Sequence, residues 1–218
     1  AYEIMPSLVG SEMCIRDRRY TIWKKFSHGL GPVNGDFGKI SLSLLELNLI
    51  FKAMSSDKYV LQEVVDARTE REFLDLPRKI YKGNRNWVCP LDPSIQAVFD
   101  PKKNEMFSDG EAIRWIARDK KGEVVGRIAA FYDREHAFLE EQPTGGCGFF
   151  EAINDQELAD QLFDAARMWL SSRGMEAMDG PINFGPRDSW WGLLVSGYEF
   201  QPLYENTYNC LLYTSPSP

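Results

Sequence analysis

Two stretches rich in apolar residues, separated by a short polar turn, limit the possible folds of this chain. Ala112 to Arg118 and Val124 to Tyr132 are interrupted only by Asp119 to Glu123, which contains Gly122. Stretches of this length on either side of a glycine-containing turn predict an antiparallel β-hairpin. The chain must therefore contain a sheet, and its other segments have to cover the apolar surface of that sheet.

Two amphipathic helices are predicted on either side of the hairpin. Asp155 to Arg173 has apolar residues at helical spacing and is the longest periodic segment of the chain. Thr69 is predicted to begin the other helix, because Thr69 and Glu72 have the spacing of a capping box. Pro77 is expected to kink that helix or to end its regular part, since proline has no backbone N–H.

Three further segments have the composition of short strands, namely Tyr59 to Val65, Gly148 to Ile153 and Met175 to Ile182. The stretch from Gly83 to Asp109 contains several prolines and is predicted to be mostly loop. The order strand, helix, hairpin, strand, helix, strand predicts an α+β fold, layered as in α/β proteins. Its mixed, largely antiparallel sheet is flanked by helices.

The two ends of the chain lack the patterning of folded segments. Leu8 to Arg18 and Cys210 to Pro218 can be back-translated into DNA strings of which one is the reverse complement of part of the other. Disordered natural tails are the alternative, but two unrelated tails would not share this relation. We therefore expect residues 1–53 to be translated adapter and upstream read-through, residues 54–209 to be the native domain, and residues 210–218 to be adapter.

Composition excludes several classes of function. The net charge of −7 disfavours a nucleic-acid partner, which requires a basic face. Cys89 and Cys147 form neither a CxxC motif nor a Cys/His cluster, so we expect no metal site and a reducing cytoplasm. The apolar run from Ile40 to Ala53 contains Glu46 and is too short for a span of roughly 20 residues.

Seven motifs, in this order, resemble a family of GNAT-fold acyl-CoA N-acyltransferases that includes bacterial ceramide synthases. The motifs are RKIYKGNRNWVCPL, FDPKKN, EVVGRIAAFYDREH, GFFEAIND, MWLSSRGM, DGPIN and WWGLLVSGYE. The resemblance implies a GNAT-like sheet, truncated here to the N-terminal half of a longer protein. It also implies transfer of an acyl group from an acyl thioester to an amine, which in ceramide synthases is a sphingoid base.

Two residues are candidates for the catalytic base. An amine attacks a thioester only as the free base, and with a pKa near 10 its deprotonation at neutral pH costs about 4 kcal/mol. The resemblance places Glu151 on the strand that borders the substrate in typical family members, although a solvated strand carboxylate remains the alternative. His136 follows a polar connection, so an exposed loop histidine is the alternative there.

Further site residues are expected towards the C-terminus. Tyr204 is a candidate to assist the oxyanion or the departing thiolate, and aromatic anchoring of its segment explains it equally well. The segment after the last predicted strand is expected to shape the acceptor groove, with two core tryptophans and a surface Arg–Asp pair as the alternative. The residues in question are Asn183, Arg187, Asp188, Trp190 and Trp191.

The expected cofactor site departs from the family pattern. GNAT proteins usually hold the pyrophosphate of coenzyme A in a glycine-containing loop before a helix. Here Glu151 to Gln156 contains no glycine, and Asp155 and Glu157 would repel a phosphate. We therefore expect no tightly bound cofactor, and we expect acyl-CoA to be a co-substrate held by the missing C-terminal half. Thr144 to Gly148 is predicted to be a flexible turn with a buried thiol.

Three functions remain open at this point. The first is an acyltransferase acting on a lipid amine in the cytoplasm, at the inner membrane face, with this fragment inactive alone. The second is a GNAT enzyme acting on a soluble amine or an aminoacyl acceptor. The third is a degenerate, non-catalytic GNAT half that binds lipid or packs against its partner half.

Overall fold

The structure of the protein is a computed structural model. Side chains are described for residues 58–139 and 141–185, and backbone alone for residues 15–16, 19–23, 193–194 and 208–209. The strands are β1 (Ile15–Arg16), β2 (Arg19–Trp23), β3 (Tyr59–Glu63), β4 (Gly110–Asp119), β5 (Val124–Asp133), β6 (Thr144–Ala152), β7 (Ala177–Asp179), β8 (Leu193–Leu194) and β9 (Tyr208–Asn209). The helices are α1 (Ala67–Ile80), α2 (Asp92–Val98), α3 (Arg134–Ala137) and α4 (Gln156–Ser171), with a 3-10 turn at Glu105–Ser108.

One mixed sheet organises the described chain. Its strand order is β1-β2-β7-β6-β5-β4-β3, and a separate parallel pair joins β8 to β9. Only β6 and β7 pair in parallel within the large sheet, while its other neighbours are antiparallel. The predicted fold class and the order of elements from β3 to β7 are therefore confirmed.

Helix α4 covers one face of the sheet. Leu158, Leu162 and Trp169 of α4 are buried in one apolar cluster with residues of β4, β5 and β6. The helix lies close because the strand beneath it carries Gly126, where an added Cβ would lie 2.8 Å from the Leu162 side chain. Asp155 caps the helix by accepting a hydrogen bond from Leu158 N, and Gly174, with φ of +85°, follows its C-terminus.

Helices α1 and α2 cover the other face. Phe73 and Leu76 of α1 are buried against Ile95 of α2 and Phe149 of β6. The prediction of a mostly loop segment between α1 and β4 was therefore incomplete, since this stretch contains α2 and a 3-10 turn. Pro93 lies in the first turn of α2, where a missing N–H costs no helical hydrogen bond.

The start of α1 differs from the prediction. The N-cap is Asp66, whose carboxylate accepts a hydrogen bond from Thr69 N at 2.7 Å, while Asp66 N donates to Thr69 Oγ1 at 3.2 Å. Thr69 is thus at position N3, the last residue of the capping box, rather than its first. Glu72 takes no part in the cap and forms an ion pair with Arg118 of β4.

Pro77 does not end α1, which continues to Ile80. A proline inside a helix leaves the carbonyl four residues earlier without its usual donor. That carbonyl belongs to Phe73, and Arg127 Nη1 donates to it at 2.6 Å. A side chain of the sheet therefore supplies the hydrogen bond that Pro77 removes, and the helix stays regular enough to cover the sheet.

Strand β6 is longer than predicted. Thr144 to Gly148 is not a turn but its first half, and Cys147 within it is buried as expected. Its glycines let neighbours pack directly on the backbone, because a Cβ at Gly146 would lie 2.5 Å from the Phe131 ring. Strand β7 is shorter than predicted and ends at Asp179, directly before the cis peptide bond between Gly180 and Pro181.

The described residues contain neither a membrane-spanning helix nor a cluster of metal ligands. None of the described helices combines the length and the apolar character that crossing a bilayer requires. No group of three or more His, Cys, Asp or Glu side chains within the described ranges is arranged to hold a metal ion.

Candidate functional site

The parallel strands β6 and β7 separate partway along the sheet. Their pairing covers three positions and ends at Gly146 and Asp179, while β6 continues to Ala152. One further hydrogen bond, from Ile182 N to Cys147 O at 2.9 Å, links the two segments. We call the divergent part, residues 147–152 on one side and 180–184 on the other, the β6–β7 fork.

A β-bulge lies on the β6 side of the fork. Ala129 pairs with Gly148 and Arg127 pairs with Glu151, so β6 has one more residue than β5 between these positions. The extra residue is accommodated at Phe149, which has a positive φ of 54°. Bulges re-aim the side chains that follow them. Here Phe149 packs under α1, and Glu151 lies beside Arg127 on the same face of the sheet.

Glu151 is paired and mostly enclosed. Arg127 Nε donates to Glu151 Oε2 at 2.5 Å, and the Glu151 side chain retains 16% of its exposure. Burial raises the pKa of Glu151 above its usual value, and the Arg127 charge opposes that rise only in part. Glu151 is therefore largely enclosed rather than freely solvated, and its pKa is raised.

Arg127 is held by more than this ion pair. Its side chain is only 3% exposed, and it donates to the Phe73 carbonyl that Pro77 leaves unoccupied. Its guanidinium carbon lies 4.6 Å from the centre of the Phe73 ring and 5.9 Å from that of Phe149. The position of Arg127 is therefore fixed from α1 and β6 at once, and Glu151 is fixed with it.

His136 lies at the other end of β5. It belongs to α3, is exposed, and places Nδ1 2.5 Å from Asp133 Oδ1. Asp133 is six residues after Arg127 on one strand, a separation of roughly 20 Å. The two candidate bases, Glu151 and His136, therefore do not share a site.

The expected acceptor groove is only partly described. Asn183 is buried in the fork, between the exposed Ile182 and Phe184, whose ring packs 5.3 Å from that of Phe131. Asn104 Nδ2 donates to the Phe184 carbonyl at 2.9 Å and so fixes this arm of the fork. The remaining predicted site residues, Arg187, Asp188, Trp190, Trp191 and Tyr204, lie outside the described residues.

The N-terminus of α4 already holds a carboxylate. Asp155 Oδ1 accepts a hydrogen bond from Leu158 N at 3.2 Å, and Lys58 forms an ion pair with the same side chain. Partial burial acts to raise the pKa of Asp155, but Lys58 and the helix amide outweigh it and lower the pKa overall. A pyrophosphate does not fit here, because it would have to displace an ionised cap and approach Glu157.

Cys147 is structural. It is buried, and burial, with a contribution from Asp179, raises the pKa of its thiol to about 12. Because the thiolate is the nucleophilic form, this side chain is not a nucleophile at neutral pH.

Arg127, the partner of Glu151, was not predicted from the sequence as a site residue. Its signal was present, since it is the only charged residue in the apolar run VVGRIAAFY. A lone arginine inside a buried strand requires a partner, and the strand beside it supplies one.

No family model matches the chain. It is, however, 32% identical over 158 residues to "Bacterial ceramide synthase" of Caulobacter vibrioides, a match that covers 70% of this chain and 39% of that protein. It is also 30% identical over 136 residues to "Protein YghO" of Escherichia coli, covering 61% of this chain and 33% of that protein. The chain thus spans between a third and two fifths of the length of these curated relatives.

Solved structures with a similar arrangement include a tandem GNAT protein and an acetyltransferase. A tandem GNAT protein from the clavulanic acid biosynthesis pathway is 16% identical, with a TM-score of 0.40 over 54% of this chain and 34% of that chain. An acetyltransferase from Streptococcus agalactiae is 15% identical, with a TM-score of 0.41 over 56% of this chain and 72% of that chain. The sequence similarity to the Caulobacter protein confirms the predicted resemblance to bacterial ceramide synthases.

Proposed function

We propose that this chain is part of an N-acyltransferase that moves an acyl group from acyl-CoA to an amine, with a sphingoid base as the acceptor. The observation that carries the proposal is the enclosed carboxylate of Glu151 beside the β6–β7 fork. Similarity to a bacterial ceramide synthase supports the lipid acceptor. The proposal places the reaction in the cytoplasm, at the inner membrane face.

Glu151 has the chemistry that an amine nucleophile requires. A carboxylate in water is a weak base for an ammonium group, but burial raises the pKa of Glu151 and so increases its affinity for a proton. In the proposed step Glu151 removes a proton from the bound ammonium. The amine nitrogen then forms a bond to the thioester carbon and the carbon–sulfur bond breaks. The departing thiolate takes up the second proton, which the nitrogen releases as the amide forms.

Arg127 limits how Glu151 acts. It keeps one carboxylate oxygen, Oε2, in a hydrogen bond, so the other oxygen is the one assigned to the amine. Because Arg127 also bonds to the Phe73 carbonyl, it stays in place when Glu151 takes up a proton. The arrangement thus orients the base without requiring a second titrating group.

The isolated chain is expected to show no turnover of acyl-CoA. The reason is that α4, the helix that follows β6, presents Asp155 where the coenzyme A phosphates would have to bind. We therefore assign the phosphate contacts to the remainder of the longer protein. The check is release of free thiol from acyl-CoA by residues 54–209, compared with the full-length protein; turnover by the fragment would refute this assignment.

The acceptor is tested with the full-length protein. Acyl-CoA is offered with a sphingoid base, with a soluble polyamine and with an aminoacyl ester, and amide products are measured by mass spectrometry. The proposal predicts the N-acyl sphingoid base as the main product. Acylation of only the soluble or the aminoacyl acceptor would instead assign the protein to the second functional class.

A non-catalytic function is the second candidate, and two observations favour it. Glu151 is already committed to Arg127, and the helix N-terminus is already capped by Asp155. A domain of this kind would bind the lipid or a partner domain without chemistry. Binding of a sphingoid base by the full-length protein, with no amide formed under any acyl-CoA supply, would support this candidate.

A further inference from the structure

The loop between α1 and α2 has an unusual charge for this protein. From Arg78 to Leu91 the chain has four basic residues, Arg78, Lys79, Lys82 and Arg85, and no acidic residue. The whole chain has a net charge of −7, so positive charge is concentrated in this stretch. We call residues 78–91 the basic loop.

Most of this charge faces solvent. Arg78 is used internally, because it pairs with Asp75 and Asp92. Lys79, by contrast, is exposed and reaches only the exposed Glu123, at 3.7 Å. Lys82 and Arg85 are exposed, and neither forms an ion pair with a carboxylate in the part of the chain that the structure describes. These cations are therefore available to an external anionic partner.

The same loop exposes apolar side chains. Trp87 stacks on Tyr81 with ring centres 5.1 Å apart, while Val88 and Leu91 are 50% and 63% exposed. Cations beside aromatic and aliphatic groups have the composition of segments that lie in a membrane interface. Nucleic acid would use the cations and the aromatic rings, but it gives no role to exposed aliphatic side chains.

The opposite end of the sheet provides an internal contrast. Phe138 and Leu139 are also exposed there, but the segment around them contains Asp133, Glu135 and Glu141. An anionic surface would repel that segment and attract the basic loop. Charge therefore selects one end of the molecule over the other.

The basic loop lies at the end of the sheet where β6 ends. The contact of Lys79 with Glu123 places the C-terminus of α1 beside the turn between β4 and β5. Strand β6 ends at that same turn, since Ile153 N donates to Val125 O at 2.9 Å. The loop and the C-terminal end of β6, which carries Glu151, are therefore at the same end of the sheet.

We propose that the basic loop docks the protein on an anionic lipid bilayer, with Lys82 and Arg85 at the headgroups and Val88 and Leu91 in the interface. Docking would hold the fork next to the surface from which a lipid amine is taken. The inference goes beyond the proposed function, and vesicle binding requires no turnover, so the two can fail independently.

The test is co-sedimentation of the chain with vesicles of phosphatidylcholine alone and of phosphatidylcholine with phosphatidylglycerol. We expect binding to the anionic vesicles, weakened by salt. Lys82→Gln with Arg85→Gln should weaken it about 25-fold, because each basic residue at such a surface strengthens binding about fivefold. The matched control, Arg68→Gln with Arg134→Gln, removes two exposed charges that lie outside the basic loop and should change binding less than twofold.

A second variant separates insertion from simple charge attraction. Leu91 is the N-cap of α2 and makes no side-chain cap, so Leu91→Ser is compatible with the helix. This substitution should weaken vesicle binding severalfold and leave the midpoint temperature of thermal unfolding unchanged. Absence of binding to anionic vesicles, equal loss in the control pair, or an unaffected Leu91→Ser variant would each overturn the proposal. So would a loop-dependent affinity for duplex DNA that exceeds the affinity for vesicles.

Discussion

Arg127→Met is expected to lower the free energy of unfolding by about 3 to 5 kcal/mol. The substitution leaves the enclosed Glu151 carboxylate without its partner, and it removes the donor that satisfies the Phe73 carbonyl above Pro77. Urea unfolding followed by tryptophan fluorescence measures the loss. Few single substitutions in the described chain should cost more, because this one disturbs α1, β5 and β6 together.

Two companion variants make the result specific. Arg71→Met, in α1, removes the solvent-accessible ion pairs of Arg71 with Asp75 and Asp92 and should cost less than about 1 kcal/mol. Arg127→Met combined with Glu151→Met removes both charges and should recover a large part of the loss, since an unpaired buried charge is what destabilises most. A loss below 1 kcal/mol in the single variant, or no recovery in the double variant, would contradict the role given to this ion pair.

Glu151→Gln in the full-length protein should reduce kcat/KM for amide formation by about 100-fold or more, the range assigned to a general base. The pH profile carries the second part of the expectation. In the wild type, kcat/KM should fall on the acid side as Glu151 is protonated, at a pH above the usual value of a glutamate because burial raises its pKa. This acid limb should be absent in the glutamine variant.

The control for that experiment is Glu70→Gln. Glu70 also forms an ion pair on the α1 face of the sheet, with Arg114, but it lies outside the fork. Its kinetics and pH profile should match those of the wild type. An unchanged kcat/KM across pH in Glu151→Gln would remove Glu151 as the base, and His136 would then be tested in the same way.

The hairpin and α4 could be predicted from sequence because their signals are local. The apolar runs of β4 and β5 and the glycine turn between them lie within one short stretch, and α4 has a continuous apolar stripe. The caps and the proline were harder. In sequence, Thr69 can be the first residue of a capping box with Glu72 or the last residue of one with Asp66. In the structure the box with Asp66 forms.

Long-range contacts explain the remaining misses. Pro77 is tolerated in α1 because Arg127, fifty residues later, donates to the Phe73 carbonyl that the proline leaves without a donor, and no local sequence pattern predicts that bond. The glycines of β6 look like a turn in sequence, yet they are needed because Leu170 and Phe131 pack on the bare backbone of that strand. Both errors come from tertiary packing that overrides a local preference.

The candidate site was predicted in part. Glu151 was found through the resemblance to a family, and its enclosure by Arg127 was not, because cross-strand pairing depends on the register that the bulge at Phe149 sets. The absence of a glycine loop before α4 was readable from composition. The structure adds that the Asp155 carboxylate caps the N-terminus of α4, where a phosphate would otherwise bind.

The central claim is that the β6–β7 fork receives the amine. It is tested most directly by recording backbone amide chemical shifts of the isotope-labelled chain while a short-chain sphingoid base is added. If the fork receives the amine, we expect shift changes concentrated in residues 147–152 and 180–184, with smaller changes around Arg127. Changes confined to α4 or to the outer strand β3, with the fork unaffected, would contradict it.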